Sequence, residues 1–356
     1  MGVAANPNTE DDTAHSQPLS PRDIAQAIVG QAPSLNAAEL AAETGVDQSF
    51  VDNYWHALGL PVEAPDLVGF TELDAQAIAE ISAAACAHQW DEPTVSTLVR
   101  SVGHTMDRLA LWQIEALVDH VARQNDIPGS AARLEVVRNL PALVHVLQTQ
   151  VVHAWRLQFA AWAQRYSVEF SDTRGGAAQL DASEVELPLP RAVGFIDIVQ
   201  FTERTTHLRA SELADLVQTF ESVTRNLITA NGGRVVKTIG DAFLFIADDA
   251  REGANIALAL RDYWSAHGTA VSDEPMAVRI SLVWGRVLSR FGDVFGPSVN
   301  LASRLVSIAQ PGRVYIDEAT VTALRPFGKF TTVRHEPKSV TGLGLITPWE
   351  LDRTGA

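Results

Sequence analysis

The chain has 356 residues, which is enough for two or three domains and a sizeable hydrophobic core. Hydrophobic residues make up 46% and charged residues 20%, as in a globular protein, and the net charge of −16 argues against binding nucleic acid or an anionic membrane. We expect a cytoplasmic protein for three reasons. The chain has one cysteine, no run approaches the ~20 apolar residues of a membrane helix, and the polar N-terminus has no signal-peptide pattern.

The first half of the chain has a helical pattern. Residues 1–20 are polar and acidic, and we expect a disordered tail. Residues 21–166 carry apolar side chains at three- and four-residue spacing, which predicts an all-helical domain. Its last helix is predicted at Ala142–Tyr166. Breaks are predicted near Pro33, from Gly59 to Pro65, and near Pro93, Pro128 and Pro141.

One segment of this half, Ser34–Leu60, has the pattern of a helix-turn-helix with Gly45 in the turn, which would indicate DNA binding. The charges argue against that function, because no lysine or arginine occurs between Asp23 and Val99. The second candidate helix, Asp47–Leu58, therefore offers no basic side chain to a phosphate backbone. We interpret the segment as a helical packing unit.

The composition changes at residues 167–190, where small, acidic and turn-forming residues predict a linker. Residues 191–356 then form a second predicted domain in which strands and helices alternate. The order of strand, helix, strand, strand, helix and strand predicts an α+β fold, with an antiparallel sheet, helices on one face and the ferredoxin-like arrangement. The predicted elements are strand Ala192–Val199, helix Ser211–Ala230, hairpin Arg234–Ile246, helix Ala250–His267, strand Val278–Val287, helix Leu301–Ala309 and a strand from Val314.

The hairpin at residues 234–246 is the stretch around which the second domain is organised. Gly240 permits a tight turn that places Asp241 at its tip, four residues after Lys237. Asp197 lies in an apolar strand, and a buried carboxylate requires a partner or a cation. In the predicted fold Asp197 and Asp241 can converge as oxygen ligands for Mg²⁺ or Mn²⁺. The alternatives are a surface hairpin with a turn aspartate, and an internal salt bridge or cap for Asp197.

Two further segments fit a phosphorylated ligand. The turn at Val199–Thr202 precedes a helical segment whose backbone N–H groups can hold phosphate oxygens. Asn300 and Arg304 are four residues apart, so one helix face presents both to a polyanion. The alternative for this pair is an ordinary solvent-exposed helix face.

Three stretches, GFIDIVQFT, VVKTIGDAF and GDVFGPSVNLASRL, together resemble the class III nucleotidyl cyclases over about Arg191 to Leu351. The resemblance implies a cyclase catalytic domain that converts ATP to 3′,5′-cyclic AMP and pyrophosphate, with two Mg²⁺ or Mn²⁺ ions per site. It implies metal binding at Asp197, Ile198 and Asp241, base selection by Lys237 and Asp293, substrate contacts at Phe201 and Thr202, ribose orientation by Asn300 and charge stabilisation by Arg304.

The implied base-selecting pair favours ATP over GTP. A lysine donor meets adenine N1 and an aspartate acceptor meets the exocyclic amine, whereas guanine presents the reverse pattern. The family's sites combine metal aspartates from one subunit with Asn and Arg from the other, so the resemblance implies a head-to-tail homodimer. Where the family often has a basic residue for the terminal phosphates, this chain has Thr341, and Lys338 is the candidate replacement. A catalytically silent nucleotide-binding or scaffold protein is the alternative function.

The helical half is interpreted as a regulator. The stretch AAELAAETGVDQSFVDNYWHALGLP resembles the N-terminal domain of pH-sensing adenylate cyclases of the mycobacterial type, which implies autoinhibition near neutral pH and release on acidification. Histidines can act as pH switches, or can be ordinary surface and core residues. The apolar composition also allows a lipid or another small effector. Seven of the ten histidines lie in this half: His15, His56, His88, His104, His120, His145 and His153.

Overall fold

The computed structural model describes residues 20–61, 67–174, 189–206, 208–268, 275–340 and 342–355. The chain forms two compact units, Met1–Ala177 and Ala178–Ala356. Residues 1–19 of the predicted N-terminal tail, which include His15, and most of the predicted linker lie outside the described residues. Among the helices that are described, none combines the length and the apolar character needed to cross a membrane.

The first unit is all-helical in its described residues, which confirms the predicted fold class. Ser20, Asn36 and Thr71 begin their helices with capping boxes, in which side chain and backbone satisfy each other's free groups. Glycines in the left-handed conformation follow the first three helices. The helices are α1 (Pro21–Val29), α2 (Ala37–Thr44), α3 (Gln48–Leu58), α4 (Glu72–His88), α5 (Glu92–Asn125) and α6 (Gly129–Arg174).

The last helix of this unit is longer than predicted. Helix α6 passes through Pro141, where a break was predicted, and continues to Arg174, beyond the predicted end at Tyr166. A proline inside a helix removes one backbone hydrogen bond, but strong helix formers on both sides and packing against α5 hold α6 together. Pro93 instead occupies the first turn of α5, where its missing N–H has no partner to lose.

The segment with the helix-turn-helix pattern forms part of the core of the helical unit. Leu40 of α2 and Val51 of α3 are buried in one cluster with Phe70 and Ile78. Gly45 makes the turn between the two helices with φ of 69°. The apolar faces of α2 and α3 therefore point inward, in agreement with the interpretation as a packing unit.

A glycine allows helix α5 to approach the end of α3 closely. A Cβ added at Gly103 in α5 would lie 2.4 Å from the carbonyl oxygen of Leu58 at the end of α3. We expect Gly103→Ala to lower the free energy of unfolding of the helical unit by about 1–3 kcal/mol, because backbone must move. Urea unfolding monitored by circular dichroism measures this free energy.

The matched control is Gly129→Ala at the start of α6, where an added Cβ meets nothing within 4 Å. We expect this variant to be neutral or more stable by at most about 1 kcal/mol, because alanine restricts the unfolded chain. Equal midpoints for the two variants would contradict the close approach at Gly103.

The second unit is an α+β domain, as predicted. The elements are β1 (Leu189–Ile198), α7 (Phe201–Thr205), α8 (Ala210–Ala230), β2 (Arg234–Ile239), β3 (Ala242–Ala247), α9 (Ala250–Ala266), β4 (Val278–Arg290), β5 (Asp293–Phe295), α10 (Pro297–Ile308), β6 (Val314–Ile316), α11 (Glu318–Leu324), β7 (Phe330–Arg334), β8 (Lys338–Val340), β9 (Gly344–Ile346) and β10 (Trp349–Arg353). The main sheet has the strand order β2-β3-β1-β4-β6-β10-β7, with β5 paired to β4, and is antiparallel except for the β4–β6 pair.

Helices cover both faces of this sheet, so the prediction of helices on one face alone is wrong. Ile196 and Ile198 of β1 pack in the cluster that includes α8 and α9. Val193 and Phe195, which alternate with them, pack in a second cluster with α10. The physical reason is that β1 is apolar on both sides and must be covered on both. By the same alternation Asp197 lies on the α10 face.

Candidate active site

Two predicted carboxylates meet where β1 ends. Asp197 is paired across the sheet with Ala242 of β3, and Asp241 precedes Ala242 in the hairpin turn. Gly240, with φ of 63°, makes that turn. Burial, followed by the charge of the neighbouring Asp241 carboxylate, raises the pKa of Asp197 to about 6. The structure therefore brings the predicted pair together.

The donor set of this pair fits a divalent cation. Two carboxylates in one partly buried place need a shared proton or a cation, and hard oxygen donors suit Mg²⁺ or Mn²⁺. In the described part of the chain, no cluster of three or more His, Cys, Asp or Glu side chains is arranged to hold a metal. An ion at Asp197 and Asp241 would therefore take its other ligands from water and from a phosphorylated molecule. The side chain of Ile198 is buried in the core, so only its main-chain carbonyl could contribute.

An arginine that was not predicted from the sequence lies beside this pair of carboxylates. Arg279 of β4 is paired with Asp197 across the sheet, and its charge opposes the rise in the pKa of Asp197. The buried Nε of Arg279 has no hydrogen-bond partner among the described residues. The signal in the sequence was an arginine within an apolar strand, the same signal that identified Asp197.

A cavity adjoins the hairpin turn on the α8 face of the sheet. Phe201, the first residue of α7, lines it together with Thr238 and Asp241. Thr202 follows in the same short helix, and its side chain lies outside the described residues. Phe201 and Asp241 are thus neighbours, as the predicted substrate contacts require.

The predicted base-selecting pair is joined by an ion pair. Nζ of Lys237 on β2 lies 2.5 Å from Oδ2 of Asp293, the first residue of β5. The second carboxylate oxygen of Asp293 accepts the backbone N–H of Val294 at 2.8 Å, which orients the carboxylate. Both side chains keep solvent access, with 40% of Lys237 and 24% of Asp293 exposed. A donor and an acceptor side by side can read two adjacent groups on the edge of a base.

Asn300 and Arg304 lie on one face of α10, as predicted, and both are exposed. The helix begins at Pro297, four residues before the predicted start, because proline at the first helical position is already in the helical conformation. Neither side chain forms a hydrogen bond or ion pair with another described residue. They are available to a ligand or to a second chain.

The predicted phosphate contact at Lys338 has a different neighbourhood from the other site residues. Its Nζ donates a hydrogen bond of 3.0 Å to the carbonyl of Ile308, the last residue of α10. The same atom lies 5.4 Å from the ring centroid of Tyr315. Thr341, which stands at the family's usual basic position, lies outside the described residues.

Comparisons with known proteins identify related catalytic domains and related chains. Residues 190–352 match the family model of the adenylate and guanylate cyclase catalytic domain. An adenylate cyclase of Glutamicibacter nicotianae is 36% identical over 328 residues, covering 91% of this chain and 80% of the relative. An adenylate cyclase of Streptomyces coelicolor is 31% identical over 353 residues, covering 92% and 88%. A pH-sensitive adenylate cyclase of Mycobacterium tuberculosis is 26% identical over 300 residues, covering 82% and 70%.

Proposed function

Because this chain belongs to the class III adenylate cyclases, we propose that it forms 3′,5′-cyclic AMP and pyrophosphate from ATP in a cytoplasmic homodimer with two shared sites. The observation that carries the proposal is the convergence of Asp197 and Asp241 at the end of β1. The test is a turnover assay with ATP and GTP, with Mg²⁺ and Mn²⁺, from about pH 5.5 to about 8, a range that brackets histidine titration. Formation of cyclic AMP from ATP supports the proposal.

The reaction joins the ribose 3′-oxygen to the α-phosphorus and breaks the bond from that phosphorus to the bridging oxygen of the leaving pyrophosphate. The proton of the 3′-hydroxyl passes to water, and no protein nucleophile is required. Asp197 and Asp241 would hold two divalent ions, which when bound lower the pKa of the 3′-hydroxyl and neutralise triphosphate charge.

Side chains outside the carboxylate pair position the substrate. Lys237 donates to adenine N1 and Asp293 accepts from the exocyclic amine. Asn300 orients the ribose, and Arg304 stabilises charge that develops at the α-phosphate. We assign Arg279 to the terminal phosphates, because its guanidinium stands beside Asp197 with an unpartnered buried N–H.

The exposure of Asn300 and Arg304 supports a site built from two chains. Both side chains project from α10 without a partner in the described residues. In a head-to-tail dimer they would complete the site whose aspartates belong to the other copy. The alternative of a catalytically silent scaffold is disfavoured because six motif positions all hold side chains that can perform their roles. These positions are Asp197, Lys237, Asp241, Asp293, Asn300 and Arg304.

We also propose that the helical unit inhibits catalysis near neutral pH. The similarity to a relative named as pH-sensitive supports this. The six described histidines of this unit are all exposed, so a change in their charge could alter contacts with a second copy of the chain. They are His56, His88, His104, His120, His145 and His153.

A comparison of two lengths of chain tests this inhibition. We expect a chain starting near Leu187 to be about tenfold more active at neutral pH than the full chain, a typical magnitude for coupling between sites. At about pH 5.5 the two should have similar rates, because acid has already released the full chain. Equal rates at neutral pH together with the same pH profile would show that autoinhibition is wrong.

An apolar groove in the helical unit suits a lipid or another small apolar effector. The groove lies between α5 and α6, with a volume of about 240 Å³ between Met106, Leu109, Leu140, Leu147 and Val151. Only two of its lining residues, Gln113 and Gln148, are polar. This composition favours the aliphatic part of a ligand.

A further inference from the structure

The placement of helix α10 decides whether Asn300 and Arg304 can act, and two polar side chains from other elements hold this helix. We propose that Lys338 and Ser281 are positioning residues that set the position of α10 along its axis. The proposal rests on the cyclase function proposed above and assigns Lys338 to the protein's own helix rather than to the terminal phosphates of ATP.

Ser281 holds the middle of the helix. It is fully buried in β4, between Ile280 and Leu282, and its Oγ donates to the main-chain carbonyl of Ala302 at 2.7 Å. Ala302 lies between Asn300 and Arg304 on α10. A buried hydroxyl must find a partner, and among the described residues Ser281 finds it in this carbonyl. Movement of α10 along its axis would leave that hydroxyl unsatisfied.

Lys338 holds the end of the helix. Helix α10 has no basic residue in its last turn, although its terminal carbonyls carry partial negative charge. The ammonium of Lys338, brought by β8, supplies the missing cation at the carbonyl of Ile308, one turn beyond Arg304. The fully buried ring of Tyr315 lies 5.4 Å from the same ammonium. Two partners therefore hold Lys338 at the helix end.

The depth of the helix on the sheet is set near its start. A Cβ added at Gly285 of β4 would lie 2.1 Å from Oγ of Ser298 in the first turn of α10. Contacts at the start, middle and end thus restrain the helix on both sides of Arg304. A displacement of about 1 Å in a catalytic group can lower a rate by about 100-fold, so this restraint has a kinetic consequence.

The experiment compares Lys338→Met, Lys338→Arg and Ser281→Ala in the full chain. We expect Lys338→Met to lower kcat by about 10- to 100-fold, with little change in KM for ATP or in inhibition by pyrophosphate. Lys338→Arg should recover most of kcat, because a guanidinium can also donate to a carbonyl and lie over a ring. Ser281→Ala should lower kcat in the same direction by about 3- to 10-fold.

The matched control is Lys329→Met, an exposed lysine of the same domain, which should leave kcat unchanged. Amide exchange in residues 297–308 provides a readout independent of turnover, and Lys338→Met should speed exchange near Ile308. Unaltered exchange near Ile308 would overturn the positioning proposal, whether or not the wild-type chain makes cyclic AMP. Absence of cyclic AMP formation by the wild-type chain would instead refute the proposed function.

A different kinetic pattern would identify Lys338 as a phosphate ligand. In that case Lys338→Met would raise KM for ATP and weaken inhibition by pyrophosphate, while α10 kept its exchange rates. A loss of folding common to both Lys338 variants, seen as equal drops in the unfolding midpoint, would show a merely structural role and would also overturn the proposal.

Discussion

Replacing Asp197 with alanine is expected to lower cyclic AMP formation by about 1,000-fold or more while the dimer persists. The carboxylate pair at the end of β1 would lose half of its donors, and a metal site contributes several kcal/mol to transition-state stabilisation. Size-exclusion chromatography with light scattering checks the dimer, and the turnover assay checks the rate. A variant that keeps wild-type kcat would refute the assignment of Asp197 to the metal.

Mixing two inactive variants then tests whether the site is shared. In a heterodimer of Asp197→Ala and Arg304→Ala, one site has both replaced residues and the other has both wild-type residues. Random exchange makes half of the dimers mixed, so we expect the mixture to regain about a quarter of wild-type activity. A site built within one chain would regain none.

The matched control combines both substitutions in one chain and mixes that chain with the wild type. Every mixed dimer then has two damaged shared sites, so activity should fall to about a quarter of the wild-type value for the same total protein. Sites built within one chain would retain about half. The two mixtures contain the same number of replaced residues. Shared sites therefore predict about equal activity in both, whereas sites within one chain predict none in the first mixture and about half in the second.

Reversing the hydrogen-bonding pattern of the ion pair is expected to reverse the nucleotide preference. In Lys237→Glu/Asp293→Asn, glutamate accepts from guanine N1–H and the asparagine amide donates to O6. Adenine would then face two mismatched groups at about 1–3 kcal/mol each, so kcat/KM for ATP relative to GTP should fall by about 10²- to 10⁴-fold. Steady-state assays with both nucleotides measure the ratio.

An apolar pair serves as the control for this reversal. Lys237→Met/Asp293→Leu removes both partners at once, so it should reduce the discrimination without inverting it. If both double variants kept the ATP preference of the wild type, the Lys237–Asp293 pair would not be the group that reads the base.

Much of the architecture could be predicted from local patterns. The all-helical first half follows from three- and four-residue spacing, and α8 and α9 lie within one residue of their predicted bounds. The candidate site could also be recognised, since Asp197 is a charge in an apolar strand and Gly240 requires a turn beside Asp241. These features are readable because they depend on neighbours along the chain.

Other features depend on pairing between distant segments. Arg279 became part of the site only through the register of β1 and β4, which places it opposite Asp197. The contact of Lys338 with Ile308 depends on where β8 approaches α10. Helix α10 covers a face that the element order left uncovered, and α6 continues through Pro141.

The sequence by itself determined the type of each element, the identity of the six motif residues and the family they indicate. Only the tertiary structure decided which side chains stand opposite one another, which face α10 covers and which atom Lys338 reaches. The reason is physical: helix and strand patterns arise from local periodicity, whereas register and cross-sheet contacts are selected by the packing of the whole domain.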